Sequence, residues 1–60
     1  MDWERIKEGT RYAYAFRINA GRGRVVEKVT KPNGARYAVI EDKARGVTVE
    51  SRPSQMHAIR

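Results

Sequence analysis

The 60-residue chain has no cysteine and no leucine, a single histidine, and only two serines. Small domains commonly lean on disulfides or zinc. Without cysteine the first is excluded, and one histidine leaves too few ligands for the second. No metal and no cofactor is therefore expected, and the fold must draw its energy from a compact β core or from association into a homo-oligomer. No apolar run approaches the ~18 residues that a membrane span requires. Met1-Asp2-Trp3-Glu4 is acidic and amphipathic where a signal peptide is basic. The expectation is a cytoplasmic protein with no membrane partner. Sixty residues make one domain, expected over 1–60, and exclude any fold built from several βαβ units.

The residues present point to strands. Six Val, four Ile, three Thr and three Tyr favour an all-β fold. Residues 1–8 suit no more than a short helical turn, with Asp2 as cap, Trp3 and Ile6 on one face and Gly9 as a stop. From Thr10 the period changes to two. Tyr12, Tyr14, Phe16 and Ile18 alternate with Arg11, Ala13, Ala15 and Arg17, the pattern of a half-buried strand with a basic outer face. Asn19-Ala20-Gly21-Arg22-Gly23 reads as a flexible basic loop, followed by a second strand from Arg24 to Thr30. Its valines change parity at Val25-Val26, which predicts a bulge or sharp bend. Lys31-Pro32-Asn33-Gly34 is a hairpin signal, because Asn-Gly supplies positive φ and Pro32 cannot donate to a ladder. A third strand is expected from Ala35 to Glu41, a second hairpin loop over Asp42-Lys43-Ala44-Arg45-Gly46, and a fourth strand from Val47 to Glu50. Ser51 to Met56 predicts a 3₁₀ turn, and His57 to Arg60 a short last strand.

A meander of strands, a 3₁₀ turn and a short closing strand resemble the SH3-like small barrels, whose members include Tudor and KOW domains. The likeness spans residues 9–60. Arg36-Tyr37-Ala38-Val39-Ile40-Glu41, Gly46-Val47-Thr48-Val49-Glu50 and Met56-His57-Ala58-Ile59-Arg60 follow a layout similar to the plasmid-borne type II dihydrofolate reductases. That family's active site uses Val-Gln-Ile-Tyr, where this chain has Val47-Thr48-Val49-Glu50. The resemblance thus implies a five-stranded SH3-like barrel and a tendency to oligomerise, and it argues against the reductase activity.

Catalytic groups are scarce. His57 has Ser51 and Ser54 nearby in sequence but no acid in its own segment to orient the imidazole. Glu41 and Asp42 are adjacent, so on a strand they face opposite ways and cannot share a substrate. They are expected to blunt a strand end and to pair with Lys43 or Arg45. Gly21-Arg22-Gly23-Arg24 lacks the third glycine and following helix of a dinucleotide fingerprint. The chain is expected not to be an enzyme.

Charge is the positive signal. Thirteen Lys and Arg stand against seven Asp and Glu, a net charge of +6, and nine of the thirteen are Arg, the side chain suited to forked phosphate contacts. Residues 21–40 hold Arg22, Arg24, Lys28, Lys31 and Arg36 against Glu27 alone, which is +4 of that excess. Clustered cations release counterions from a phosphate backbone. The expectation is a non-enzymatic module that binds DNA or RNA without sequence specificity. Its candidate contacts are Arg22, Arg24, Lys28, Lys31 and Arg36, with Lys43 and Arg45 on a second loop, and with Arg24, Lys28 and Arg36 sharing one face of the hairpin. The alternative is a small protein-binding adaptor or inhibitor, of the kind that phages and mobile elements encode, docking through a sheet edge or an apolar patch. Tyr12, Tyr14 and Phe16 share a parity and belong to the core on either reading, together with the ten Val and Ile.

Overall fold

The structure, a computed structural model, describes residues 1–16 and 18–59, with the backbone alone at Phe16 and Asn19. The expected core position of the Phe16 ring, and the charges of Arg17 and Arg60, lie outside the described residues. Five strands form one antiparallel sheet: β1 (Arg11–Phe16), β2 (Asn19–Thr30), β3 (Arg36–Asp42), β4 (Val47–Ser51) and β5 (Met56–Ala58), in the order β4-β3-β2-β1-β5. Two 3₁₀ turns, Trp3–Arg5 and Pro53–Gln55, stand at the N-terminus and before the last strand. Hydrogen bonds do not close the sheet into a barrel; β4 and β5 are its two edges. No helix among the described residues is long and apolar enough to cross a membrane.

The long second strand organises the fold. Its residues Asn19 to Arg24 pair with β1, and its residues Arg24 to Thr30 pair with β3. Residues 19–23 are therefore strand and not the loop that their glycines suggest. Those glycines serve close packing. A Cβ on Gly21 would collide with the Asp42 carboxylate and the Tyr14 hydroxyl, and one on Gly23 would lie 2.5 Å from the Glu41 carbonyl oxygen. β2 starts at Asn19, paired with Phe16, and Ile18 stands 97% exposed instead of continuing the buried face.

The register shifts between Val25 and Glu27, as the change of valine parity predicts. Val25 pairs with Ile40 and both are fully buried, whereas beyond the shift Lys28 pairs with buried Ala38. The extra residue therefore turns Lys28 toward the concave face while Arg24 keeps to the outer one. The buried core is Ile6, Tyr12, Tyr14, Val25, Ala38, Ile40 and Met56, with Met1, Trp3 and Val49 packed at its margin. Of the ten Val and Ile, only Ile6, Val25 and Ile40 are in it. Val26 is exposed at the register shift, and Val47, opposite buried Asp42, is exposed at the first position of the edge strand β4.

Local chemistry fixes the connections. Gly34 N–H donates to the Lys31 carbonyl (2.9 Å), Lys31 N–H to the Ala35 carbonyl (2.7 Å) and Ala35 N–H to the Asn33 side chain (3.0 Å), with Gly34 at φ 87°. Gly46 takes φ 68° in the β3–β4 hairpin. The N-terminal turn is not capped by the Asp2 side chain. The Tyr12 hydroxyl anchors the turn's exit instead, accepting the Lys7 amide (3.0 Å) and donating to the Arg5 carbonyl (3.2 Å), which seats Ile6 in the core.

Candidate nucleic-acid interface

The outer face of the sheet carries a row of charge across three strands. Arg11 of β1 lies directly opposite Arg24 of β2, which in turn lies opposite Glu41 of β3. Arg22, two residues along the same face of β2, and Lys43 from the β3–β4 loop complete the walls of a shallow groove of about 190 Å³, which also includes Gly23 and Ala44. Four cations against one carboxylate give the groove a net charge of +3. Glu41 is the single acid, and its Oε1 is 3.9 Å from Lys43 Nζ. Among the described residues no ion pair involves Arg11, Arg22 or Arg24. Like charges directly across a ladder destabilise a sheet by some tenths of a kcal/mol. The Arg11–Arg24 juxtaposition is thus a local cost that an anion lying over the pair would remove.

The seven cations expected to act together are divided among four places. Arg22, Arg24 and Lys43 line the groove. Lys28 and Arg36 close on Trp3 from the concave side: Lys28 Nζ sits 4.3 Å from the indole centroid and donates to the Trp3 carbonyl at 2.7 Å, and the Arg36 guanidinium is 5.9 Å from the ring. The expected common face of Arg24, Lys28 and Arg36 is therefore corrected; the bulge separates Arg24 from the other two. Lys31 pairs with Glu50 at 3.4 Å and approaches the Tyr37 ring at 5.8 Å. Arg45 is tied inward, its Nη1 donating to the Tyr14 hydroxyl (3.2 Å) and the Ala20 carbonyl (3.1 Å).

Arg45 belongs to a structural network. The Tyr14 hydroxyl donates to Asp42 Oδ2 (2.9 Å), and the Arg45 amide donates to Asp42 Oδ1 (3.1 Å). Burial by itself raises the Asp42 carboxyl. The Tyr14 hydroxyl, the amides of Arg45 and Ala44 and the Arg45 charge outweigh it, so the group lies below the ordinary carboxylate value. Burial and the Asp42 hydrogen bond push the Tyr14 phenol above its ordinary value. Asp42 thus holds the β3–β4 loop that presents Lys43 to the groove, a role deeper than the strand-end pairing expected for it. Glu41 does pair with Lys43.

Sequence reading missed Arg11 and Arg52. Arg11 was legible as an outer-face residue of the first strand; its place opposite Arg24 required treating residues 19–23 as its pairing partner. Arg52 follows β4 and brings its guanidinium to 5.8 Å from the Tyr37 ring. His57 is exposed on β5 opposite Ala13, and the Ser51 hydroxyl donates to the Arg52 carbonyl (3.2 Å). Among the described residues no cluster of three or more His, Asp or Glu could hold a metal ion. No protein-family model matches this chain, and no curated protein or solved structure does either.

Proposed function

We propose that this chain is a non-enzymatic module of SH3-like type that binds DNA or RNA through phosphate-backbone contacts in the groove between Arg11, Arg22, Arg24 and Lys43. The observation that carries the reading is the direct cross-strand opposition of Arg11 and Arg24, with no ion pair to either among the described residues although Glu41 lies across from Arg24. A sheet that serves only as scaffold gains nothing from that arrangement, and a phosphodiester bridging the two guanidinium groups turns repulsion into two charge-assisted contacts. Among the described residues there is no helix longer than a 3₁₀ turn to serve for recognition, so contacts to bases in a duplex groove are not part of the proposal.

The test is fluorescence anisotropy of labelled DNA and RNA across salt concentrations. With three to four phosphates neutralised, affinity for a single strand falls roughly 20- to 50-fold between 50 and 200 mM salt. An Arg11→Ser, Arg24→Ser protein binds more weakly with a shallower salt slope. Absence of binding at low salt would sink the reading. A protein-binding adaptor is the competing one, favoured by the unpaired edge of β4, whose Val47 is 39% exposed. That role leaves the facing arginines without a purpose.

A further inference from the structure

Tyr37 stands apart from the other tyrosines. On β3 it shares the outer face with Val39 and Glu41, while Ala38 and Ile40 point into the core. Tyr37 is half-buried, opposite Val29 of β2, and two cations lie over its ring at 5.8 Å from the centroid, Lys31 from one hairpin and Arg52 from beyond β4, which an arriving base displaces toward its own phosphates. Val26, 47% exposed, and Val39 continue the apolar surface along the sheet. This platform and the arginine groove lie on one face. Tyr37 is four residues from Glu41 along β3, about 13 Å at strand rise. Between them Glu27 and Glu50 both lie opposite Val39, one on each side. The outer face is therefore cationic at both ends, with Glu27 and the Lys31-paired Glu50 across the middle and an aromatic ring at one end.

We propose that this face selects single-stranded over double-stranded nucleic acid, by stacking a base on Tyr37 while the backbone is anchored in the groove and beside Arg52. The inference rests on the phosphate-binding reading and deepens it. A duplex lying along β3 presents only phosphate and sugar, and its backbone meets the Glu27 carboxylate. A single strand can turn its bases onto Val39 and Tyr37 and keep its phosphates at the two basic ends. Every base has a π face, so such stacking discriminates strandedness and not sequence. DNA and RNA strands share this chemistry.

The experiment compares oligothymidylate, oligouridylate and a DNA duplex of equal length, titrated against the wild type and three variants at low salt. The wild type favours both single strands over the duplex. Tyr37→Ala lowers single-strand affinity by about 5- to 150-fold, the range seen when stacking side chains are truncated, and leaves duplex affinity within twofold. Tyr37→Phe keeps the π face and retains single-strand affinity, a rescue that a merely structural role for the hydroxyl would not give. Glu27→Gln raises duplex affinity more than single-strand affinity, and this variant leaves the Lys31–Glu50 pair beside the Tyr37 ring in place. Unchanged single-strand affinity in a folded Tyr37→Ala protein, or equal wild-type affinity for strand and duplex, overturns the stacking proposal while leaving the groove intact. Loss of all binding at low salt overturns the phosphate-binding reading beneath it.

Discussion

Replacing Gly23 by alanine tests whether residues 19–23 are packed strand or open loop. The new Cβ would lie 2.5 Å from the Glu41 carbonyl oxygen, 2.6 Å from Ile40 Cγ2 and 2.9 Å from the Glu41 carbonyl carbon. Carbon contacts settle at about 3.5–4.0 Å, so a gap of roughly 1 Å must open. Two of the three obstructing atoms belong to the backbone of β3, which no side-chain rotation can move. The nearest way to yield is to pull β2 from β3 at the Arg24–Glu41 pair, the last rung of that ladder. Overpacking of this kind costs about 1–3 kcal/mol, and a lost hydrogen bond adds about 0.5–1.5 kcal/mol. The reduced entropy of the unfolded chain returns about 0.4–1 kcal/mol. The net expectation is a loss of about 2 kcal/mol, a large share of the roughly 3–9 kcal/mol that 60 residues supply. Thermal unfolding followed by far-ultraviolet circular dichroism should show a Tm lower by about 8–16 °C. Gly34→Asn is the control, because no neighbour lies within 4 Å of that position and asparagine tolerates its φ of 87°. A Gly23→Ala protein within about 0.5 kcal/mol of wild type would refute the close approach, and with it the strand assignment that brings Arg11 opposite Arg24.

Two further outcomes follow from the side-chain networks. The Asp42 carboxyl is depressed in the folded protein, so the stability it contributes is complete above the ordinary carboxylate range and is lost as pH falls through the lower folded value. Urea midpoints measured from pH 7 down to pH 2 should fall less steeply in Asp42→Asn than in wild type; parallel curves would contradict the network. Lys28 is engaged by the Trp3 ring and carbonyl, so Lys28→Met should alter the fluorescence of the only tryptophan yet reduce DNA affinity less than Arg24→Ser does. An equal or larger loss from Lys28→Met would place the binding surface on the concave side.

What the sequence makes legible depends on the range of the physics involved. The two hairpins are written into short segments, Pro32-Asn33-Gly34 and Gly46, where proline's fixed φ and glycine's positive φ decide the turn locally. The place of the bulge, too, is readable from the valine parity, although Val26 stays exposed there and only Val25 enters the core. Gly21 and Gly23 mislead for the opposite reason. A glycine accommodating a neighbour and a glycine loosening a loop look identical in one dimension, and the neighbours here, Tyr14, Asp42 and Glu41, come from other strands. The groove inherits that difficulty. Its charges were visible, but the opposition of Arg11 and Arg24 depends on a register set by where β1 turns into β2. The separation of Lys28 from Arg24 was within reach of the parity argument, because a bulge after Val25 moves every later side chain to the other face.

The central claim is that a phosphate backbone lies across Arg11, Arg22, Arg24 and Lys43. Backbone amide shifts of ¹⁵N-labelled protein, followed while an oligonucleotide is added at low salt, test it residue by residue. The account predicts the largest and earliest changes at Arg22, Gly23, Arg24, Arg11, Lys43 and Ala44, reversed by added salt. Changes confined to the β4 edge or to the Trp3 side, or no changes at any oligonucleotide concentration, would contradict it.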